Sequence, residues 1–571
     1  MGVAKGNRRA MERWLPIAYL AVVVVLAVAV LPSTLRPPNQ QPNETAELSP
    51  DAPPDQKQEA FITAFNQASS GTAGSGTGTP AQGAAGPLAP GVAPQPQQSA
   101  LPRACPRGVG NPPRQTENVY GPPCAPPFSG NNGGATWRGV SAGEIRINVQ
   151  GTGDGNQPSK DGQVNTRPDP SENAWDRTYR VIQQYFNQNF QLYGRQLRFY
   201  VSRPASYHES DEQNAAIQAD TGYKVYGSGF TSEPECAYFA QHQIVAFCEQ
   251  NPKSFYASHD PYNFGWYMNG TELISFTSEY LCKKLAGKPA AWAGDPTYQK
   301  TRRKFGFLLY DTRGYWELGA QLQREVKEQC NEDVDLVGYN QDDQNGQARL
   351  AAAVAHFKTN GVTTIIPGMD WVSAALFTNA AEQGAWFPEW FTDGGGALDR
   401  NQLAQLQNQD EWQHAFGVTA LDMERRNDST DCYRAYKSVD PSNTPNYVFC
   451  TYVYASLFAL VSGIQQAGPT LNPSNFKRGI MSLGYRFPDH PAWAIGGGFG
   501  PDDWTYTDNV TEIWWDRNAV EPNFNTAQGQ RGAYKYTRSG QRYRLGDIPR
   551  ENPNLFGNDG VTEVPDSNEP G

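Results

Sequence analysis

FGFLLYDTRGYWELGAQLQREVKEQCNEDVDLVGY, residues 305–339, holds the decision about the fold. FGFLLY (305–310) is an apolar run without alternation, the pattern of a strand covered on both faces. Apolar positions then recur at helical spacing over 315–329, and VDLVGY (334–339) reads as a second strand. The alternation continues with a helix at 347–359, a strand VTTIIP (362–367), a helix at 371–383 and a strand EWFTD (389–393). Strands separated by single helices return the chain in the same direction each time, so they build a parallel sheet.

Upstream, the same grammar starts with EIRINV (144–149), a Gly/Asp/Asn/Pro-rich loop and an amphipathic stretch at 173–192. There Trp175, Tyr179, Ile182, Phe186 and Phe190 step by three or four, the period of one helix face. Further strands are expected at about 223–228 and at IVAF (244–247). In an open parallel sheet ligands bind beyond the carboxyl ends of strands, where loops and helix N-termini gather. Those loops hold hydroxyls, carboxylates and aromatics: Ser228 to Ser232, Phe255 to Tyr267 with Ser258, Asp311 to Trp316, Gly368 to Trp371 with Asp370, and Asp393 before three glycines. Together they suggest a small-molecule cup, with Asp393 available to a cation.

The ends of the 571-residue chain read differently. Residues 15–31, LPIAYLAVVVVLAVAVL, are long enough to cross a bilayer as a helix, and Lys5, Arg8, Arg9 and Arg13 precede them. The expectation is a cytoplasmic stub at 1–14, a transmembrane anchor and an extracytoplasmic remainder; cleavage as a secretory signal is the alternative. Residues 32–135 are rich in Pro, Gly, Ala and Gln and read as a disordered tether, and 531–571 as a loosely ordered tail. Eight cysteines fit an oxidising compartment. By sequence neighbourhood they fall into Cys105/Cys124, Cys236/Cys248, Cys282/Cys330 and Cys432/Cys450, although spacing alone leaves the connectivity open.

The net charge of −11, with 47 Lys+Arg against 58 Asp+Glu, argues against a nucleic-acid partner, and a mean hydropathy of −0.64 against a polytopic membrane protein. Gly139-Val140-Ser141-Ala142-Gly143 matches the hydrolase G-x-S-x-G string but precedes its strand, where the nucleophile would have to follow one. The six histidines are scattered, and no Cys-x-x-Cys, His-Glu-x-x-His or phosphate-loop pattern occurs. Neither a metal nor a cofactor is expected, and no enzymatic activity. Glycan acceptor strings begin at Asn43, Asn269, Asn427 and Asn509, a common chance pattern.

Gly229-Phe230-Thr231-Ser232, residues 305–326, NGVTTIIPGMDWVSAALFTNAAEQG (360–384) and EWFTDGG (389–395) together resemble the type 1 periplasmic binding proteins, in particular the branched-chain-amino-acid group of ABC transporters. The resemblance covers about 137–520 within a folded region of 136–530. It implies two α/β lobes joined by three crossings, lobe one at 137–298 and 414–485, lobe two at 299–413 and 486–520. It also implies that Thr231, Ser232 and Ser258 hold a ligand carboxylate while Tyr315 and Asp393 meet the ligand from lobe two. The expected function is capture of a small polar ligand, an amino acid or similar, for an ABC permease. A membrane-anchored receptor or scaffold of the same fold is the alternative, and a secreted hydrolase a weaker one.

Overall fold

The computed structural model describes residues 105–562 apart from 106–112, 116–117, 152–161, 205–208, 341–345, 485–493, 523–530, 552–554 and 558–559. The apolar segment 15–31 and most of the expected tether lie outside the described residues. Among the described residues no helix is long and apolar enough to cross a membrane.

Two sheets, each covered by helices, form the α/β body. The first consists of β1 (Glu144–Gln150), β2 (Gln196–Ser202), β3 (Gly227–Thr231), β4 (Val245–Cys248) and β5 (Asn263–Phe264), all parallel, in the order β2-β1-β3-β4-β5. The second contains β6 (Phe305–Tyr310), β7 (Val334–Tyr339), β8 (Thr364–Gly368), β9 (Glu389–Thr392) and β10 (Ala415–Thr419), also parallel. To these the chain adds β11 (Asn509–Val520), β12 (Arg531–Tyr536) and β13 (Arg542–Arg544), which run antiparallel to their neighbours. The order β12-β11-β10-β9-β8-β6-β7 reverses direction between β6 and β8, as the first sheet does between β1 and β3.

The helices follow from local chemistry. Helix α1 (Ala174–Asn189) starts where the Asn173 side chain accepts a hydrogen bond from the Asp176 amide. Helix α2 (Glu233–Gln241) carries a capping box between Ser232 and Glu235. Helix α3 (Gly270–Tyr280) is capped by Asn269, and α4 (Arg313–Cys330) leaves the end of β6 almost at once. Helices α5 (Gly346–Thr359) and α6 (Trp371–Gln383) flank the second sheet, while α7 (Tyr454–Ala467) and α8 (Pro473–Met481) return to the first. Helix α7 lies flat on β3, and glycine is required there: a Cβ on Gly229 would stand 2.6 Å from Leu457 Cδ1. Aromatic rings close the first core, with Phe186 stacked on Tyr454 and Phe190 edge-on to Phe458.

Several expectations change. The strand placed at about 223–228 is β3, four residues later, because its glycines are strand positions admitting α7 and not a loop. Helix α3 packs with α4 on the second sheet, sharing the cluster of Leu273, Phe276, Leu318 and Leu322, so the first lobe ends near 265 and not at 298. Strand β10 belongs to the second sheet, which moves that boundary past 419, and Phe499, Trp504 and Tyr506 are buried with the first core and not the second. Residues 531–544 are not loose: β12 pairs with β11 from Ile513↔Tyr536 to Asp516↔Ala533, and the Trp515 and Tyr534 rings meet edge-on at 5.0 Å. Within the expected tether, the chain from Pro113 is docked on lobe one, with the Arg114 guanidinium donating to the Leu483 carbonyl at 2.8 Å and Gln115 to the Asn189 carbonyl at 2.7 Å.

All eight cysteines are bridged, Cys105–Cys124, Cys236–Cys248, Cys282–Cys330 and Cys432–Cys450. Cys282–Cys330 joins the ends of the packed pair α3 and α4 and closes the longest loop, 48 residues in sequence. Both sulfurs are half-buried, so replacing them leaves little unsatisfied inside the core. The double variant Cys282→Ser/Cys330→Ser is therefore expected to lose about 4 kcal/mol, the loop-closure entropy for that span, in denaturant unfolding without reductant.

Candidate functional site

A cavity of about 680 Å³ opens where the carboxyl ends of both sheets face one another. Lobe one contributes the turns after β3 and β4, from Ser232 to Pro234 and from Glu249 to Pro252. Lobe two contributes the turns after β6, β7 and β8, including Tyr310, Tyr315, Tyr339 and Asp370. Its size matches small-molecule sites, and its place follows from the topology, since both direction reversals in strand order lie at its walls.

Each wall is fixed by its own chemistry. Asp370 caps α6, accepting at Oδ1 from the Val372 and Ser373 amides at 2.8 and 3.0 Å. Its other oxygen accepts from the Tyr310 hydroxyl, which in turn accepts from the Asp370 amide at 2.8 Å. Tyr310 stands edge-on to Tyr315 at 5.1 Å and near-parallel to Tyr339 at 6.5 Å, which makes an aromatic cluster at this side of the cavity. Burial raises the hydroxyl pKa of both Tyr310 and Tyr315, and nearby carboxylates add to it.

Across the cleft, Glu249 accepts from Ser456 Oγ at 2.7 Å and from the Tyr267 amide at 3.0 Å. Burial pushes its carboxyl up to about 8. Gln250 spans to lobe two: its Nε2 donates to the Gly394 carbonyl at 2.9 Å, and its Oε1 accepts from the Gly396 amide at 3.2 Å. Gly396 has φ +62 and lies so close to Met369 that a Cβ would fall 2.0 Å from that carbonyl oxygen. This loop admits no side chain there.

The sequence-derived residues divide. Ser232, Tyr315 and Asp370 line the cavity. Thr231 does not: as the last residue of β3 it is buried, and its hydroxyl donates to the Phe247 carbonyl at 2.9 Å beside the Cys236–Cys248 bridge. Ser258 ends a short helix in solvent, donating to the Phe255 carbonyl at 2.9 Å. Asp393 is buried behind the glycine loop, accepting from the Gly395 amide at 2.8 Å, and burial pushes it up to about 6. Of the aromatic stretch 255–267, Tyr256, Phe264 and Trp266 pack in the first core. Glu249, Gln250, Tyr310 and Tyr339 escaped the sequence reading, although each stands at the carboxyl end of a strand, the position the topology rule marks.

A second, small cavity of about 80 Å³ lies at the crossing between the lobes, where Arg400 donates to Asp422 Oδ1 at 2.9 Å. Elsewhere Glu272, Asp503 and Asp508 bring carboxylate oxygens within 4.8 Å of one another, the one grouping among the described residues with the reach to hold a metal ion.

No protein-family model and no curated protein matches the sequence. Among solved structures the chain is similar to a fatty acid ABC transporter substrate-binding protein from Thermomonospora curvata, at 13% identity and TM-score 0.49 over 72% of this chain and 96% of that one. It is similar to a solute-binding protein of an ABC transporter from R. palustris in complex with 4-hydroxybenzoate, at 10% identity and TM-score 0.48 over 71% and 98%. A leucine-binding protein from Thermotoga maritima aligns at 12% identity and TM-score 0.45 over 69% and 97%.

Burial, then the Asp503 and Glu272 carboxylates, push Asp508 up to about 9, and burial with Asp503 pushes Glu272 up to about 7. Below about pH 4 both folded and unfolded chains hold these protons. Above it the unfolded chain ionises first, so the folded state binds more protons and stability falls as pH rises toward those folded values. Thermal unfolding midpoints are expected to fall from pH 5 to pH 8, and to fall less in Asp508→Asn; an unchanged slope in the variant would contradict the assignment.

Proposed function

We propose that the chain is an extracytoplasmic solute-binding protein that captures a small polar ligand between its two lobes. The observation that carries this reading is the cavity of about 680 Å³ whose walls come from the strand ends of both sheets. A ligand in that place touches both lobes at once and favours the closed arrangement by its differential affinity, with no chemical step required. Of the residues the resemblance to type 1 periplasmic binding proteins implies, Ser232 and Tyr315 line it, and Thr231, Ser258 and Asp393 are not part of the wall. Delivery to an ABC importer, and anchoring through residues 15–31 with the N-terminus in the cytoplasm, complete the proposal.

The test is thermal unfolding of the purified chain, dialysed free of small molecules, against amino acids, amides, amines and small aromatic acids. A ligand at ~100 times its Kd adds about 2.7 kcal/mol and raises the midpoint by several degrees. Tyr315→Ala removes a ring from the wall and is expected to lower that ligand's affinity at least tenfold while the far-ultraviolet circular dichroism is unchanged. A folded chain that responds to none of these classes overturns the reading.

A further inference from the structure

Resting on the solute-binding reading, we infer that the ligand of this cleft is an organic cation, an ammonium group held by carboxylates beside a cluster of aromatic rings. Glu212, Glu233, Glu249, Asp311 and Asp370 all line the cavity, and no Lys, Arg or His stands among the described residues that do. The aromatic part is Tyr310, Tyr315, Tyr339 and Trp371. Tyr310 meets Tyr315 edge-on at 5.1 Å and lies near-parallel to Tyr339 at 6.5 Å, so the rings form one cluster. Ring faces attract an ammonium electrostatically, most strongly where water is excluded, and a carboxylate close by adds a charge-assisted hydrogen bond.

The opposing argument comes from the fold, because a cleft at strand ends gathers helix N-termini, which favour anions. At α2 and α6 the chain itself occupies those positions. At α2, the Glu235 carboxylate accepts from the Ser232 amide at 3.1 Å and from the Ser232 hydroxyl at 3.3 Å. At α6, Asp370 takes the Val372 and Ser373 amides. At α4 no side chain caps the first turn, and the preceding Asp311 accepts at Oδ1 from the Trp316 indole at 2.7 Å. A ligand carboxylate approaching α2 or α6 would meet the acidic side chains of Glu233 and Asp370 in the cavity wall. Glu249 enters differently from the others: burial pushes it up to about 8, and its two oxygens accept from Ser456 Oγ and the Tyr267 amide.

Binding of the dialysed full chain is measured by isothermal titration with spermidine, choline and benzylammonium, and with L-leucine and 4-hydroxybenzoate as zwitterionic and anionic probes. At least one cation is expected to bind, with affinity that falls as sodium chloride is raised. Asp370→Asn keeps a good helix cap, and Glu233→Gln keeps the side-chain length, so both variants are expected to fold. Each removes one carboxylate from the wall and is expected to weaken the cation about tenfold, which corresponds to a single charge pair. If leucine or 4-hydroxybenzoate binds and no cation does, the cation inference is overturned and the solute-binding reading stands. If the folded chain binds none of the five, both fall. Cation binding that neither variant weakens places the cation elsewhere on this acidic chain and overturns the inference as well.

Discussion

The convergence of helix N-termini on one cleft is the constraint on which the rest of this structure depends. Every crossover helix in a parallel sheet starts near a strand's carboxyl end, so its first amides, which have no partner within the helix, point toward the same space. Two sheets facing one another bring both sets together. Those amides must be satisfied by solvent, ligand or protein, and here the protein supplies much of the answer through Asp370 and through the Ser232–Glu235 capping box. Self-capping stabilises α2 and α6, and at α6 it also sets an acid in the cleft wall, since the cap there is Asp370. Fold stability and the character of the site are thus set by the same side chains.

Within the second sheet, buried charge fixes how neighbouring elements sit. Glu389, at the start of β9, is completely buried and takes two hydrogen bonds from the Arg303 guanidinium at 2.7 Å each, another from Thr364 at 2.7 Å and one from the Trp292 amide at 3.0 Å. One carboxylate therefore ties β8, β9 and the strand leading into β6. Such a pair contributes little net free energy over a well-packed apolar substitute, but removing one partner leaves an uncompensated charge in the core. Arg400 does similar work at the crossing, donating to both the carbonyl and the side chain of Asp422. These bonds specify where elements sit more than how stably they sit.

Sequence made the periodic parts legible. FGFLLY and VDLVGY are the strands observed, residue for residue; the first is buried on both faces and leaves a continuous apolar run, while the second is the part-buried edge strand. Helix 371–383 is read just as closely, since Asp370 caps it visibly. Reading failed where tertiary packing overrode local signals. Ser228-Gly229-Phe230-Thr231-Ser232 looks like a loop after a strand, yet Gly229 is a strand position lying against Leu457 of α7, and the dependence on a helix more than 220 residues downstream cannot be seen locally. Residues 531–544 look loose because Gly, Arg and Lys are interspersed, but the strand's burial comes from Ala533, Tyr534 and Tyr536 packed against the tryptophans of β11. In the candidate site, the loops were legible from topology, but which residues within them face the cavity was not. Thr231 and Ser232 are adjacent, and a one-residue alternation sends the first into the core and the second into the cleft.

The cavity wall and the crossing between lobes share atoms, which ties occupancy to motion. Glu249 lines the cavity, yet its two oxygens are spent on Ser456 in α7 and on the amide of Tyr267, in the first passage from one lobe to the other. The next residue, Gln250, reaches into lobe two with both ends of its amide. Separating the lobes at this edge means parting Gln250 from Gly394 and Gly396, an exchange of two amide hydrogen bonds for bonds to water, which costs little in net terms. Glu249, anchored to the passage itself, stays with lobe one. The turn after β4 therefore has a fixed half and a releasable half, adjacent in sequence, and the boundary between them runs through the cavity wall. A ligand resting against this turn and against Tyr315 bridges the releasable contact, which is the physical condition for coupling its binding to closure.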